Sequence, residues 1–290
     1  ALGKGPNDDE GPMIPDLPEG RERPAAPVPT PPDLSVLVAG RTWRRNLVGE
    51  AGATVHRLSL DGAADLYLKH GTGDVARDIA DEAARLRWLA PHVSTPHLVY
   101  YAANGEEAWL LTTALPGRTA YERMAAEPAH APQVAALIGA FLKTLHALPA
   151  ARCPFDSGAD RRLELAKARM EAGRVDVDDF DDAHTGWSAE QVWDKMIALR
   201  PSVADPVVTH GDYSLDNILI ADGPVTDSHV SGCIDLGRLG VADRYQDLAI
   251  AWNCLDEFGS DAQQAFLAAY GLAELDADRL AFHLALDEFF

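Results

Sequence analysis

The chain has 290 residues, 47% of them hydrophobic and 24% charged, an ordinary globular composition that excludes collagen-like, disordered and disulfide-scaffold classes. Its 25 Lys and Arg against 45 Asp and Glu give a formal charge of −20, a surface that repels nucleic acid and anionic membrane and attracts cations, small cationic molecules included. No stretch reaches the ~18 apolar residues of a membrane-spanning helix, and the Pro-rich, acidic N-terminus lacks the apolar core of a secretory signal. The three cysteines, Cys153, Cys233 and Cys254, form no CxxC pair and read as reduced thiols of a cytoplasmic protein.

Residues 1–33 hold nine of the 19 prolines and are expected to be a disordered tail. From about Trp43 the pattern turns to strands. Thr54–Leu60 and Asp65–His70 alternate on either side of an Asp61-Gly62 turn. Val75, Ile79, Ala83, Leu86 and Leu89 then recur at helical spacing until Pro91. Two more strand-like runs, His97–Ala102 and Ala108–Thr113, flank Asn104-Gly105. Leu115-Pro116-Gly117 breaks the pattern, and beyond it the chain is mostly helical: Gln133–Leu148, Glu190–Leu199 and everything from about Tyr245. Short β segments interrupt it at 207–220 and 230–236. The expected architecture is a two-lobed α+β fold. A β-rich lobe spans 34–113 and an α-rich lobe spans 114–290, with a ligand cleft between them.

The strongest chemical signal is His210-Gly211-Asp212, with Asn217 five residues after the Asp and Ile234-Asp235-Leu236-Gly237 opening after a turn. Magnesium needs few hard oxygen ligands from protein when phosphates and water supply the rest. Asn217 and Asp235 supply that pair, and Asp212 can face an acceptor hydroxyl, the arrangement of the protein-kinase catalytic loop. A phosphotransferase also needs a strand lysine on the phosphates and a helix glutamate to hold it. Lys69 ends Leu66-Tyr67-Leu68-Lys69, and Glu82 shares a helix face with Ile79 and Leu86. Gly49-Glu50-Ala51-Gly52-Ala53-Thr54 is placed to cover the phosphates with backbone N–H groups. GxxxxGK[ST] is absent, so this is not a P-loop enzyme. The histidines show no metal-ligand spacing; His210 is expected to brace its loop, and the others, His184 among them, to be structural or surface residues.

Over Trp43–Phe290 the chain resembles the aminoglycoside 3'-phosphotransferases (kanamycin and neomycin kinases), especially their type I branch. The resemblance is carried by LYLKHG, AWLLTTALPGRTA, CPFDS, VDVDDFDDAHTGW, VVTHGDYSLDN, GCIDLGRLGVADRYQDLAIAWNCL and the terminal LDEFF. It implies a protein-kinase-like fold, ATP, magnesium, and transfer of phosphate to the 3'-hydroxyl of an antibiotic such as kanamycin, giving resistance. It further implies that Asp212 is the catalytic base or orienter of the acceptor hydroxyl, that Asn217 and Asp235 bind Mg2+, and that Lys69, held by Glu82, meets the ATP phosphates. Tyr67 or its neighbours would pack on the adenine, which the backbone of Thr113 and Leu115 would meet. The cationic drug would sit among Asp179, Asp181, Asp182, Glu257, Asp287, Glu288 and the carboxylate of Phe290, with Arg238 near the transferred phosphate. The residues agree: each ammonium of a polycation wants a carboxylate, and two terminal phenylalanines can pin down an end that would otherwise fray. A kinase of another small metabolite, such as choline or homoserine, shares HGDxxxxN and is the alternative.

Overall fold

The computed structural model describes residues 21–47 and 52–290. A six-stranded antiparallel sheet is formed by β1 (Glu22–Pro24), β2 (Thr42–Asn46), β3 (Thr54–Leu60), β4 (Ala63–Thr72), β5 (Leu98–Ala103) and β6 (Glu107–Thr113), in the order β1-β2-β3-β4-β6-β5. The covering loop expected at 49–54 lies partly outside the described residues. A short helix, α1 (Pro32–Leu37), precedes β2, and α2 (Asp74–Leu89) follows β4. Ala76, Ile79, Ala83, Leu86 and Leu89 form the buried stripe of α2, close to the spacing read from sequence. Each fully buried Ile or Leu on that stripe is worth about 1.5–3 kcal/mol.

The expectation of a disordered tail through residue 33 is corrected for residues 21–33. Pro24 pairs with Arg44 at the sheet edge, where a residue without an N–H costs no ladder bond. Glu22 Oε2 meets Arg44 Nε at 3.2 Å and Arg57 Nη2 at 2.9 Å. Pro29 offers its carbonyl to Trp109 Nε1 at 3.0 Å. Leu34 of α1 is fully buried against Trp43, Leu58 and Leu68. Proline density marked the segment as unable to fold by itself; the sheet gives it a surface to lie on.

The remainder is mainly helical. It comprises β7 (Arg118–Thr119), α3 (Ala120–Ala126), α4 (Ala131–His146), α5 (Ala159–Glu171), α6 (Ala189–Ala198), α7 (Tyr245–Asp256), α8 (Ser260–Tyr270) and α9 (Ala277–Asp287). Four further strands interrupt it: β8 (Pro206–Thr209), β9 (Ile218–Ile220), β10 (Val230–Cys233) and β11 (Gly240–Asp243). β10-β9-β7 make one small sheet and β11-β8 another. Reciprocal capping boxes start α3, at Thr119 and Glu122, and α6, at Ser188 and Gln191. The main core gathers α4, α7 and α8 around Ile138, Leu142, Leu248 and Phe266. Gly139 lets α4 and α8 touch, since a Cβ there would sit 2.4 Å from the Phe266 carbonyl oxygen. A second cluster joins α5, α6 and α9 through Leu163, Val192, Met196, Phe282, Leu286 and Phe289, and so anchors the C-terminus. Among the described residues no helix is long and apolar enough to cross a membrane.

Candidate active site

Strand alternation sorts β4. Leu66 and Leu68 enter the sheet's hydrophobic cluster, while Tyr67 and Lys69 face a cleft of about 1570 Å³ between the sheet and the helical region. Lys69 Nζ donates to Glu82 Oε2 of α2 at 2.6 Å and to Asp235 Oδ1 at 2.9 Å. Burial opposes the lysine's charge, but Asp235 and Glu82 outweigh it and raise the ammonium's pKa. The same contact, working against burial, lowers the pKa of Asp235, whereas burial dominates at Glu82 and raises it. Asp235 itself has φ +58°, the only positive φ of a non-glycine among the described residues. Asp tolerates this conformation better than most side chains, and its persistence marks a turn held by its surroundings.

The loop between β8 and β9 carries Asp212 and Asn217. Gly211, at φ +90°, has no room for a Cβ, which would lie 2.3 Å from the Arg238 carbonyl oxygen. His210 is fully buried; it accepts the Asp212 N–H at Nδ1, 3.3 Å, and its Nε2 donates to the Ile234 carbonyl at 2.9 Å, bracing the loop as expected. Asn217 Nδ2 donates to the Asp212 carbonyl at 2.9 Å, which leaves Oδ1 as the amide's remaining polar atom. Enclosure raises the pKa of Asp212; Arg238 and His210 oppose it, and the carboxylates of Asp287 and Asp235 reinforce it.

Three residues that sequence reasoning left without a role hold this site together. Asp247 of α7, fully buried, accepts the N–H groups of His210 and Gly211 at 2.7 and 2.8 Å. Arg162 of α5 donates to Asp287 Oδ1 at 2.9 Å and lies over the Phe290 ring at 4.8 Å. Arg169 donates to the Phe289 carbonyl at 2.6 Å and the Phe290 carbonyl oxygen at 3.5 Å. The only sequence signal for Asp247 was its place in the quoted run DRYQDLA; α5, dense in charge, was not among the helices read from the sequence. A fourth, His184, expected to be structural or surface, bonds Glu288 Oε1 through Nδ1 at 2.6 Å.

Of the residues singled out from sequence, the cleft is lined by Tyr67, Lys69, Glu82, Thr113, Leu115, Asp179, Asp212, Asn217, Asp235, Arg238, Asp287, Glu288 and Phe290. Val55, Leu110, Leu219 and Ile234 add apolar surface to the lining. Arg238 sits 3.7 Å from Asp287 and 5.5 Å from the Phe290 ring centroid. Three expected drug contacts are not in that lining. Glu257 is exposed at the end of α7, where Tyr121 Oη donates to it at 3.2 Å. Asp181 is half-buried; burial raises the pKa of Glu288, and the Asp181 charge nearby adds to it. Asp182 opens the 3-10 turn Asp182–His184, and its side chain lies outside what is described.

The cleft thus combines apolar surface and a paired lysine with carboxylates, arginines and a looped Asp. The chain matches the model of the phosphotransferase enzyme family over residues 42–283. It is 47% identical over 271 residues to an aminoglycoside 3'-phosphotransferase of Escherichia coli, covering 93% of this chain and 98% of that one. It is 45% identical over 252 residues to one of Salmonella typhimurium, covering 87% and 91%. Its fold matches the crystal structure of an aminoglycoside-3'-phosphotransferase of type VIII with a TM-score of 0.78 at 34% identity, covering 89% of this chain and 97% of that one. A Streptomyces rimosus aminoglycoside phosphotransferase solved with ADP and streptomycin gives a TM-score of 0.69 at 28% identity, covering 89% and 97%. With most of both chains aligned at nearly half identity, the chain belongs to the aminoglycoside 3'-phosphotransferase family.

Proposed function

We propose that this chain transfers the γ-phosphate of ATP to the 3'-hydroxyl of an aminoglycoside such as kanamycin, weakening the drug and conferring resistance. The observation that carries the reading is the Lys69–Glu82–Asp235 cluster sharing one cleft with Asp212 and the acidic C-terminus. In this reading residues 34–113, with strand β1 added at their edge, hold the nucleotide, and residues 114–290 hold the catalytic loop and the drug. The adenine packs on Tyr67 and meets the backbone of Thr113 and Leu115. Lys69 holds the phosphates and Glu82 keeps it aimed.

Asn217 Oδ1 and Asp235 are the donors for Mg2+. Among the described residues no three His, Cys, Asp or Glu side chains converge as a metal cluster. A two-residue oxygen set suits magnesium, which takes its other ligands from phosphates and water. The ion, when bound, neutralises phosphate charge. Asp212 orients the acceptor hydroxyl and takes its proton as the new O–P bond forms and the bond to ADP breaks. Arg238 steadies the charge on the moving phosphoryl group. The drug's ammonium groups meet Asp179, Asp181, Asp182, Glu257, Asp287, Glu288 and the Phe290 carboxylate. The cytoplasm is the compartment that fits both ATP and the thiols, which burial makes unreactive, Cys233 being pushed up to about 12 and Cys254 to about 11.

The test is magnesium–ATP turnover with kanamycin, with tobramycin, which lacks the 3'-hydroxyl, and with choline. Phosphate transfer to kanamycin alone is expected. Transfer to tobramycin as well moves the reaction to another hydroxyl, and transfer to choline alone replaces the drug reading with a metabolite kinase.

A further inference from the structure

Glu288 follows α9 with a side chain only 6% exposed. Its two oxygens are not equivalent. Oε1 is 2.6 Å from His184 Nδ1, whereas Oε2 is buried and has no hydrogen-bond partner among the described residues. On the far side of the imidazole, His184 Nε2 lies 2.9 Å from Lys195 Nζ of α6. An ammonium has three donors and no acceptor, so Nε2 must present its lone pair. The ring proton therefore sits on Nδ1 and points at Glu288, and the imidazole carries no charge. Trp187 backs both groups, its ring 5.2 Å from His184 edge-on and 5.2 Å from Lys195 Nζ.

The consequence concerns charge. A doubly protonated His184 would neutralise Glu288 and compete with any incoming cation. A neutral Nδ1–H donor instead fixes one oxygen by a hydrogen bond while the carboxylate keeps its negative charge. The unpartnered Oε2 then remains for a positively charged guest, and its burial makes an unmade bond there costly.

We propose that Lys195 and His184 form a relay that positions Glu288 as a hook for one ammonium group of the substrate: Lys195 selects the Nδ1–H tautomer, and His184 aims the carboxylate. The inference rests on the reading of Glu288 as a drug-binding carboxylate. His184 and Lys195 are positioning residues; neither is assigned to the reacting atoms.

The experiment uses the full chain with kanamycin and ATP and compares E288Q, H184F, H184N and K195M. E288Q is expected to raise the kanamycin KM by tenfold or more. H184F is expected to raise it about tenfold, as loss of a charge-assisted hydrogen bond implies, with kcat and the ATP KM within about twofold. H184N, whose side-chain amide can donate from nearly the place of Nδ1, should bring the kanamycin KM back to within about threefold of wild type. In ring-15N-labelled protein the His184 resonances, identified by their loss in H184N, should report a protonated Nδ1, and K195M should convert them to a mixture of tautomers. An unchanged KM in E288Q removes the drug-site reading of Glu288 and the relay with it. A raised KM in E288Q with none in H184F overturns the relay alone. So does a wild-type His184 protonated at Nε2, a readout taken on the wild-type protein that needs only one of H184N and H184F to fold for its assignment.

Discussion

Asp247 Oδ2 accepts the backbone N–H of His210 at 2.7 Å, so the loop that carries Asp212 hangs on the first turn of α7. Its other oxygen takes the Gly211 N–H at 2.8 Å, and Oδ2 also meets His146 Nε2 at 3.0 Å, whose Nδ1 in turn meets Tyr270 Oη at 2.8 Å. One buried carboxylate thereby serves three donors from two elements. Asp247→Ala leaves three buried donors, the N–H groups of His210 and Gly211 and Nε2 of His146, without the partner they share. At about 1–3 kcal/mol for each unsatisfied donor, the loss should be about 3 kcal/mol or more. Urea unfolding should show the free energy of unfolding falling by that amount, with the midpoint shifted down in proportion, and kcat should fall as Asp212 loses its fixed position. A variant with wild-type stability and turnover contradicts this role.

That Asp212, Asn217, Lys69 and Glu82 would share one cleft was legible in the sequence because the signals are local. Asp212 and Asn217 stand five residues apart, and Lys69 and Glu82 fall on a strand and a helix that periodicity identifies. Arg162, Arg169, His184 and Asp247 acquire their roles only from partners far along the chain. Arg162 meets Asp287 across 125 residues, and His184 meets Glu288 across 104. Periodicity says which face of a helix is buried, not what it is buried against. In α5 the many charges hid that face: Arg162 is buried beside Leu163 and Ala166, its charge met by Asp287. Over residues 21–33 the Pro-rich composition misled for the opposite reason, because composition reports whether a segment folds alone and not whether a neighbouring sheet will order it.

Glu82→Gln tests the lysine's second support. The amide keeps the shape of the glutamate but not its charge, so Lys69 is left with Asp235 as its one ionic partner in the cluster. Lys69 should then shift toward Asp235 and away from the nucleotide phosphates. Misplacement of about 1 Å at a reacting centre can cost about 10²-fold. The ATP-dependent kcat/KM is therefore expected to fall by about that factor while the kanamycin KM stays within about twofold. A selective rise in the kanamycin KM is the contrary result, and would separate Glu82 from the nucleotide.

The C-terminus should respond differently to lengthening and to shortening. Phe289 is 1% exposed and packs edge-on against Trp193 at 5.7 Å, while Arg169 holds both terminal carbonyls. Residues added after Phe290 move the terminal carboxylate without uncovering Phe289, so they should raise the drug KM and leave the melting temperature close to wild type. Deleting Phe289 and Phe290 removes a buried aromatic anchor, worth about 3–5 kcal/mol by analogy with Phe→Ala in cores. That deletion should lower both thermal stability and drug affinity. Unchanged kinetics in the extended chain would take the terminal carboxylate out of the drug site.

Asp212 ties function to stability with a definite sign. Enclosure raises its pKa in the folded state, and Arg238 and His210 only partly offset this. The folded protein therefore holds that proton more tightly than the unfolded chain, whose aspartates titrate near ~3.9. As pH rises from the unfolded value through the folded one, the native state binds more protons than the unfolded state, so this group's contribution to stability falls and stays lower above. Asp212→Asn carries no charge at any pH. It should melt higher than wild type at neutral pH, and the difference should shrink as pH is lowered toward ~4. The same variant should lose about 10²–10⁴-fold in kcat, the usual worth of a positioned base, with the ATP KM changed little. Melting curves at a series of pH values check the first statement and steady-state kinetics the second. A stability difference independent of pH would mean that the cleft does not penalise the Asp212 carboxylate. Retained turnover would mean that another group takes the hydroxyl proton.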